Sequence, residues 1–263
     1  MVQIKKTRWI VLRGLGRGCG HWGFFQDKLR QAFPDELFYF LDLPGNGFLN
    51  KQISPLSISD YVPFLKQQLA ATTFFDSDGP VFGIGLSLGG MVLTEFASKE
   101  ANLFTQIFLI NTSASNFSAP YQRISFLVLM NSVKQILTSK IEDFEMNSLL
   151  VTTNLSELVI RSKFLKDYNS NVDFTKNNPI TKINIVRQLI AAALYKFPKK
   201  KPTHVQLING ANDQFVNPKC SIDIKKKWNC DLVTHPTAGH DIAFEDSSWL
   251  IEIILSRRNN QLG

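Results

Sequence analysis

Residues 80–98 read PVFGIGLSLGGMVLTEFAS and contain the sequence GLSLG at 85–89. The apolar run 80–86 predicts a buried strand and 88–98 predicts a helix, which places Ser87 on the turn between them. A serine at such a sharp turn has a strained backbone, and the close packing of helix on strand favours glycine beside it. We therefore predict that Ser87 is a nucleophile; the alternative is a glycine-rich turn with a purely structural role.

Strand and helix patterns alternate on both sides of this turn. The other predicted strands cover 9–13, 37–43, 104–110, 204–208 and 231–235, and the other predicted helices cover 21–32, 59–71, 218–228 and 247–256. This alternation is typical of an α/β protein whose mostly parallel sheet is flanked by helices. A chain of 263 residues is long enough to bury a large core of this kind.

The alternation stops between residues 117 and 201, where helical patterning takes over. Residues 124–137 and 183–194 carry apolar side chains on more than one helical face. We interpret 117–201 as an inserted helical lid. The predicted core then consists of residues 1–116 and 202–263.

The net charge of +7 is concentrated in the predicted lid. Residues 117–201 contain 13 of the 29 basic side chains and 6 of the 22 acidic ones, so the rest of the chain is balanced. A solvated surface explains this excess most simply, and attraction of an acidic substrate or carrier protein is the alternative. Nucleic-acid binding is not favoured, because no recognised binding motif accompanies the charge.

Cysteine content and hydropathy bear on the compartment. The three cysteines, Cys19, Cys220 and Cys230, are an odd number without metal-site spacing, so a reducing compartment fits best. The sequence shows neither the apolar core of a signal peptide nor an apolar run of about 20 residues. We expect a cytoplasmic protein with no integral membrane segment, no metal ion and no organic cofactor.

A serine nucleophile needs a base, and the chain offers four histidines. His240 follows glycine in the loop after the last predicted strand, where an imidazole can reach a nucleophile at the sheet edge. His204 begins a predicted strand and His235 ends one, so packing or surface roles suit them better. His21 lies beside a glycine-rich turn and is a candidate helix cap or binding group.

The acid of a serine triad must hold the histidine in the correct tautomer. Asp213 lies in a turn just after the predicted strand 204–208, and such strand ends face the active side of a parallel sheet. Asp223 falls inside a predicted helix, and Asp231 lies at the opposite end of a strand. We predict that Asp213 is the acid that pairs with His240.

Developing negative charge on the substrate oxygen requires donors that already face it. The amide of Leu88 directly follows the nucleophile, and that of Leu15 lies in the glycine-rich turn 14–20, GLGRGCG. A dinucleotide-binding motif is the competing interpretation of this turn, but its GxGxxG spacing fails at Cys19 and at His21. We predict that Leu15 and Leu88 form an oxyanion hole.

Together these segments resemble the α/β-hydrolase superfamily over nearly the whole chain outside the lid. The segments that carry the resemblance are LRGLG at 12–16, DLPGNG at 42–47, GLSLGG at 85–90, NGAND at 209–213 and GH at 239–240. The resemblance implies the α/β-hydrolase fold, whose triad order Ser87, Asp213, His240 this chain follows. The chain is most similar to the pimeloyl-acyl-carrier-protein methyl ester esterase group, including the stretch 111–123, but has Arg13 where members usually have histidine.

The implied activity is that of a serine esterase, which cleaves a carboxylic ester or thioester through an acyl-enzyme. Ser87 attacks the substrate, His240 carries the proton, and Asp213 stabilises the imidazolium, while the amides of Leu15 and Leu88 stabilise the oxyanion. Two narrower alternatives are an esterase for substrates on an acyl-carrier protein bound to the basic lid, and an esterase whose apolar lid helices line a pocket for a medium acyl chain without any carrier. Others are a catalytically inactive binding protein of the same fold, and carbon–carbon cleavage or perhydrolysis by the same triad.

Overall fold

The computed structural model describes residues 5–125, 130 and 140–259. The strands are β1 (Arg8–Leu12), β2 (Leu37–Leu41), β3 (Val81–Leu86), β4 (Gln106–Ile110), β5 (His204–Gly210) and β6 (Asp231–His235). The helices are α1 (Phe24–Ala32), α2 (Val62–Ala70), α3 (Leu88–Lys99), α4 (Pro120–Arg123), α5 (Ile141–Thr152), α6 (Glu157–Lys163), α7 (Leu165–Asn177), α8 (Lys182–Leu194), α9 (Lys219–Trp228), α10 (Ile242–Glu245) and α11 (Ser247–Asn259).

The six strands form one parallel sheet in the order β2-β1-β3-β4-β5-β6. The chain moves outward from β1 to β2 and then crosses to the other side of β1 for β3. The loops after β1 and β3 therefore leave the same edge of the sheet in neighbouring positions, which is where ligands bind in open α/β sheets. The turn of Ser87 follows β3, and the glycine-rich turn follows β1.

The core has two layers, one on each face of the sheet. Every residue of β1 is buried, and its side chains alternate between the layers. Trp9 and Val11 pack with α1 and α11, whereas Ile10 and Leu12 pack with α2, α3 and α9. Burying each such side chain stabilises the fold by about 1.5–3 kcal/mol, so β1 is fixed from both sides.

The predicted parallel sheet with flanking helices is confirmed, with differences at element ends. The helix predicted over 21–32 begins at Phe24, because Gly23 at φ +51° separates it from a short 3-10 turn at Cys19–Trp22. The strand predicted over 37–43 ends at Leu41. The short helix α10 directly after the His240 loop was missed, since four residues carry too little periodicity to be recognised.

Between β4 and β5 the described residues form helices α4 to α8, which we call the insertion. Residues 126–129 and 131–139 of the predicted apolar segment 124–137 lie outside the described residues. The division of the chain into core and lid stays a prediction. Within the described part of the chain, no helix has both the length and the hydropathy needed to cross a membrane.

Replacing Gly89 by alanine tests the packing of α3 on the sheet. A Cβ at Gly89 would lie 2.4 Å from the Leu12 carbonyl oxygen and 2.6 Å from that of Arg13, and backbone atoms cannot move aside as side chains do. We expect Gly89→Ala to lower the free energy of unfolding by about 1–3 kcal/mol in urea denaturation. Ser98→Ala, at an exposed position of the same helix, should change it by less than about 0.5 kcal/mol. Equal effects of the two variants would contradict this packing constraint.

Candidate active site

Ser87 has the strained backbone that the sequence predicts. Its φ is +56° and its ψ is −116°, a backbone conformation that residues other than glycine rarely adopt. A Cβ at Gly85 would lie 2.7 Å from the Gly89 carbonyl oxygen, so glycine is required on both sides of the turn. The tight turn points the chain from β3 directly into α3 and leaves Ser87 at the sheet edge.

The backbone of Ser87 is held while its hydroxyl is not. The Ser87 amide donates to the Ile110 carbonyl oxygen at 2.8 Å, and the Thr112 hydroxyl donates to the Ser87 carbonyl oxygen at 2.8 Å. The Ser87 hydroxyl forms no hydrogen bond with any residue that the structure describes, and it lines two cavities. A fixed backbone with an open hydroxyl is the arrangement that a nucleophile requires.

Asp213 and His240 lie together. The Asp213 Oδ2 atom is 2.7 Å from His240 Nδ1, and both side chains are buried. The other carboxylate oxygen accepts the amides of Phe215 at 2.8 Å and Val216 at 2.9 Å, so the turn after β5 fixes the carboxylate. His240 Nε2 has no hydrogen-bond partner among the described residues, and His240 lines the same cavity as Ser87. No hydrogen bond joins His240 to Ser87 in the described residues. Catalytic hydrogen bonds of this kind are often long without substrate.

Asn111, which the sequence analysis gave no role at the site, holds these loops together. It follows β4 at φ +47°, a conformation that asparagine tolerates better than most residues. Its side-chain amide donates to the His240 carbonyl oxygen at 2.7 Å, and its Oδ1 accepts the Gly210 amide at 3.0 Å. A polar residue directly after a fully buried strand was the available signal.

The two predicted oxyanion donors, the amides of Leu15 and Leu88, have no hydrogen-bond acceptor among the described residues. In the glycine-rich turn, the Gly16 amide donates to Gln188 Oε1 at 2.9 Å and the Arg17 amide donates to the Gly14 carbonyl oxygen at 3.2 Å. The Leu15 amide has no acceptor among the described residues. Nor has the Leu88 amide, which starts helix α3, where the first amides lack intrahelical acceptors.

Arg13, the departure from the family pattern, forms a buried ion pair with Asp241. The guanidinium donates to both carboxylate oxygens, at 2.9 and 2.6 Å, and lies 4.7 Å from the centre of the Trp22 ring. Burial alone would raise the pKa of Asp241, but the charge and hydrogen bonds of Arg13 hold it below its ordinary value. The pair ties the residue after His240 to the turn that carries Leu15.

A second ion pair, between half-buried Arg17 and buried Glu145, joins the glycine-rich turn to the insertion. Arg17 donates to both oxygens of Glu145, at 2.8 and 2.7 Å, and the Thr175 hydroxyl donates to the same carboxylate at 2.6 Å. His21 Nε2 lies 2.8 Å from the Thr175 hydroxyl, and burial, with the nearby charge of Arg17, lowers the pKa of His21 well below its ordinary value. His21 therefore fixes the turn from within rather than facing substrate.

The other histidines and aspartates considered as the base or the acid lie away from Ser87. His204 is exposed at the start of β5. His235, at the end of β6, accepts the amides of Thr237 and Ala238 through Nδ1. Asp223 is within α9, and Asp231 begins β6 at the far end of the sheet.

Ser87 stands between two cavities. The first, of about 110 Å³, is lined by His240, Arg13 and Asp241 together with apolar side chains of the insertion. The second, of about 260 Å³, is lined by Leu88 and by residues of α4 and α8. An ester substrate whose carbonyl carbon lies at Ser87 can therefore place one half in each cavity.

A parallel sheet with a strained serine after β3 and an Asp–His pair after β5 and β6 defines the α/β-hydrolase fold. The sequence matches the model of the alpha/beta hydrolase family over residues 10–253, and the chain belongs to that family. A search of curated proteins found no match.

Several solved structures share the fold at low sequence identity. A lipase-esterase related protein from Clostridium acetobutylicum has a TM-score of 0.70 and 16% identity, and the match covers 95% of this chain and 93% of that one. A hydrolase from Pseudomonas aeruginosa gives 0.70 and 16%, over 99% and 91%. A thermophilic esterase from Thermogutta terrifontis gives 0.68 and 16%, over 98% and 91%.

Removing the charge of Asp241 tests the buried ion pair. We expect Asp241→Asn to lower the free energy of unfolding by about 3–5 kcal/mol at pH 7, because Arg13 is then a buried charge without a partner. Since the pKa of Asp241 is lowered in the folded chain, the stabilisation is present above the unfolded value and is lost as pH falls through the folded one. The difference between wild type and variant should therefore narrow below about pH 4.

The matched control is Glu157→Gln, which removes the exposed ion pair between Glu157 and Arg161. Solvent screens this pair, so urea denaturation should show no measurable change. A loss in Asp241→Asn no larger than that in the control would show that the buried pair does not hold the site together.

Proposed function

We propose that the chain hydrolyses carboxylic esters or thioesters by acyl-enzyme chemistry with Ser87, Asp213 and His240 as a catalytic triad. The observation that carries this proposal is the 2.7 Å contact between Asp213 and His240 beside a cavity that the unbonded Ser87 hydroxyl also lines. Family membership supports hydrolytic chemistry in general. Local geometry supports the choice of these three residues.

Acylation begins when the Ser87 oxygen attacks the substrate carbonyl carbon and His240 Nε2 takes the hydroxyl proton. Asp213, held by two backbone amides, stabilises the imidazolium through Nδ1. The oxyanion accepts hydrogen bonds from the free amides of Leu15 and Leu88. His240 then gives its proton to the leaving oxygen or sulfur, and the acyl–enzyme bond remains.

Deacylation repeats these steps with water. His240 takes a proton from water, the hydroxide adds to the acyl carbon, and Ser87 leaves with the proton returned by His240. The products are a carboxylic acid and an alcohol or thiol, and no cofactor takes part. The insertion acts as the lid, because side chains of α5 and α8 line the first cavity together with the loops that carry Ser87 and His240.

A fluorophosphonate probe tests the nucleophile. We expect wild type to be labelled and Ser87→Ala to be unlabelled, since the probe reacts only with a serine activated by a base. Ser148→Ala is the matched control because Ser148 lines the same cavity on α5 without a histidine partner. Labelling should persist in this control, and intact-mass spectrometry gives the readout. Label retained in Ser87→Ala would remove Ser87 from the proposal.

Steady-state kinetics test the base and the acid. We expect His240→Ala and Asp213→Asn each to lower kcat for a p-nitrophenyl ester by about 10,000-fold, the scale of known triad losses. His204→Gln, at an exposed position on β5, should retain wild-type kcat. Circular dichroism spectra that overlay the wild type would separate loss of chemistry from loss of fold. A loss below tenfold in both triad variants would contradict the assigned roles.

A second candidate function is hydrolysis of an ester carried on an acyl-carrier protein. Exposed lysines in and after the insertion favour it, because acidic partners are attracted to such a surface. They are Lys163, Lys166, Lys182, Lys196, Lys199, Lys200 and Lys201. A carrier-bound substrate should lose kcat/KM steeply as salt rises, whereas a small neutral ester should not.

A further inference from the structure

The two cavities beside Ser87 receive different halves of an ester. His240 lines the first cavity and not the second, and Leu88 lines the second and not the first. The base must reach the leaving oxygen to protonate it, so the leaving alcohol lies on the side of His240. The acyl group then extends past Leu88 into the second cavity, which has a volume of about 260 Å³.

Three arginines line these cavities within the described part of the chain, and two are neutralised. Arg13 and Arg17 line the first cavity, and each is paired with a buried carboxylate. Arg123 lines the second cavity, and no described carboxylate forms an ion pair with it. The acyl side of the site therefore carries an unneutralised positive charge, and the alcohol side does not.

Arg123 keeps donors available for a ligand. Its Nη1 donates to the Ala193 carbonyl oxygen at 2.8 Å, its Nη2 donates to that of Ala192, and its Nε donates to the Ser113 hydroxyl at 3.3 Å. Each terminal nitrogen has two N–H groups, so one donor remains on each. A hydrogen bond from such an N–H group to a carboxylate oxygen is charge-assisted and stronger than one between neutral groups.

The surroundings of Arg123 favour an anionic ligand. Burial lowers the pKa of the guanidinium from its ordinary value, so an anion beside it would offset the cost of removing that charge from water. The positive excess of residues 117–201, the segment that contains Arg123, also attracts negatively charged groups.

We propose that the second cavity is an acyl subsite in which Arg123 binds a carboxylate, so that preferred substrates are half esters of dicarboxylic acids. The ester end lies at Ser87, the free carboxylate lies at Arg123, and a small alcohol leaves into the first cavity. Water is consumed, the acyl C–O bond is cleaved, and the products are the dicarboxylic acid and the alcohol. This specificity rests on the proposed esterase function.

The test compares two substrates that differ only at the far end. Monomethyl esters of the dicarboxylic acids from succinic to suberic acid are assayed beside the corresponding ester amides, and methanol release is measured. The amide matches the carboxylate in shape and lacks its charge. At the best chain length we expect kcat/KM for the acid to exceed that for the amide by about 10- to 100-fold.

Variants assign this preference to one side chain. Arg123→Met should reduce the acid-to-amide ratio to near one, and Arg123→Lys should retain part of it, because a lysine keeps the charge without the planar fork. Arg187→Met is the matched control, since Arg187 lies on α8, donates to the Ser54 carbonyl oxygen and lines neither cavity. The ratio is measured within each variant, so partial unfolding affects both substrates equally.

Three results would overturn the subsite while leaving the proposed function standing. They are cleavage of acid and amide at equal rates by wild type, an acid preference that survives Arg123→Met, and no cleavage of any half ester by a chain whose Ser87 reacts with the fluorophosphonate probe. Failure of the proposed function is a different result, in which Ser87 is unreactive and no ester is cleaved. An acid preference lost only in the Arg123 variants supports the subsite.

Discussion

The close approach of α3 to the end of β1 is the constraint on which the site depends. Gly89 lies against the carbonyl oxygens of Leu12 and Arg13, and no other side chain fits there. This contact brings the start of α3 beside the glycine-rich turn, where the order of strands reverses. The strained backbone of Ser87 follows from the same contact, because the turn must be tight for the helix to reach β1.

Two ion pairs connect segments of the chain that the sheet places near one another without bonding them together. Arg13 connects the glycine-rich turn to the residue after His240, and Arg17 connects it to Glu145 in the insertion. Arg13 contacts both oxygens of Asp241 through two nitrogens, and Arg17 contacts both oxygens of Glu145 through Nη1. Removing one member of either pair would leave the buried carboxylate or its arginine without a compensating charge, which destabilises the fold. The turn that carries Leu15 is thereby held from two sides.

Local rules were enough to predict the strands and the positions of Ser87, Asp213 and His240, because each lies just after a buried strand and parallel strands end at one edge. The roles of Asn111 and Asp241 were not predictable in this way. Asn111 binds Gly210, 99 residues away, and Asp241 binds Arg13, 228 residues away, and no periodicity links such positions. The start of α1 was misplaced because Gly23 at φ +51° interrupts the helix, and the amide of Phe24, where α1 begins, donates to Asp167 in the distant insertion.

Two hydrogen bonds between the insertion and the loops of the site make the site depend on the insertion as well as on the sheet. Gln188 of α8 accepts the Gly16 amide next to Leu15, and the Thr152 carbonyl oxygen at the end of α5 accepts the Asp241 amide next to His240. Movement of either helix therefore acts on a neighbour of a proposed catalytic group through one hydrogen bond. A change of substrate achieved by altering the insertion must preserve both bonds, because an oxyanion donor or base displaced by about 1 Å loses much of its effect. Specificity in this chain can vary most freely at side chains that line the cavities without making either bond, and Arg123 and Leu189 are such side chains.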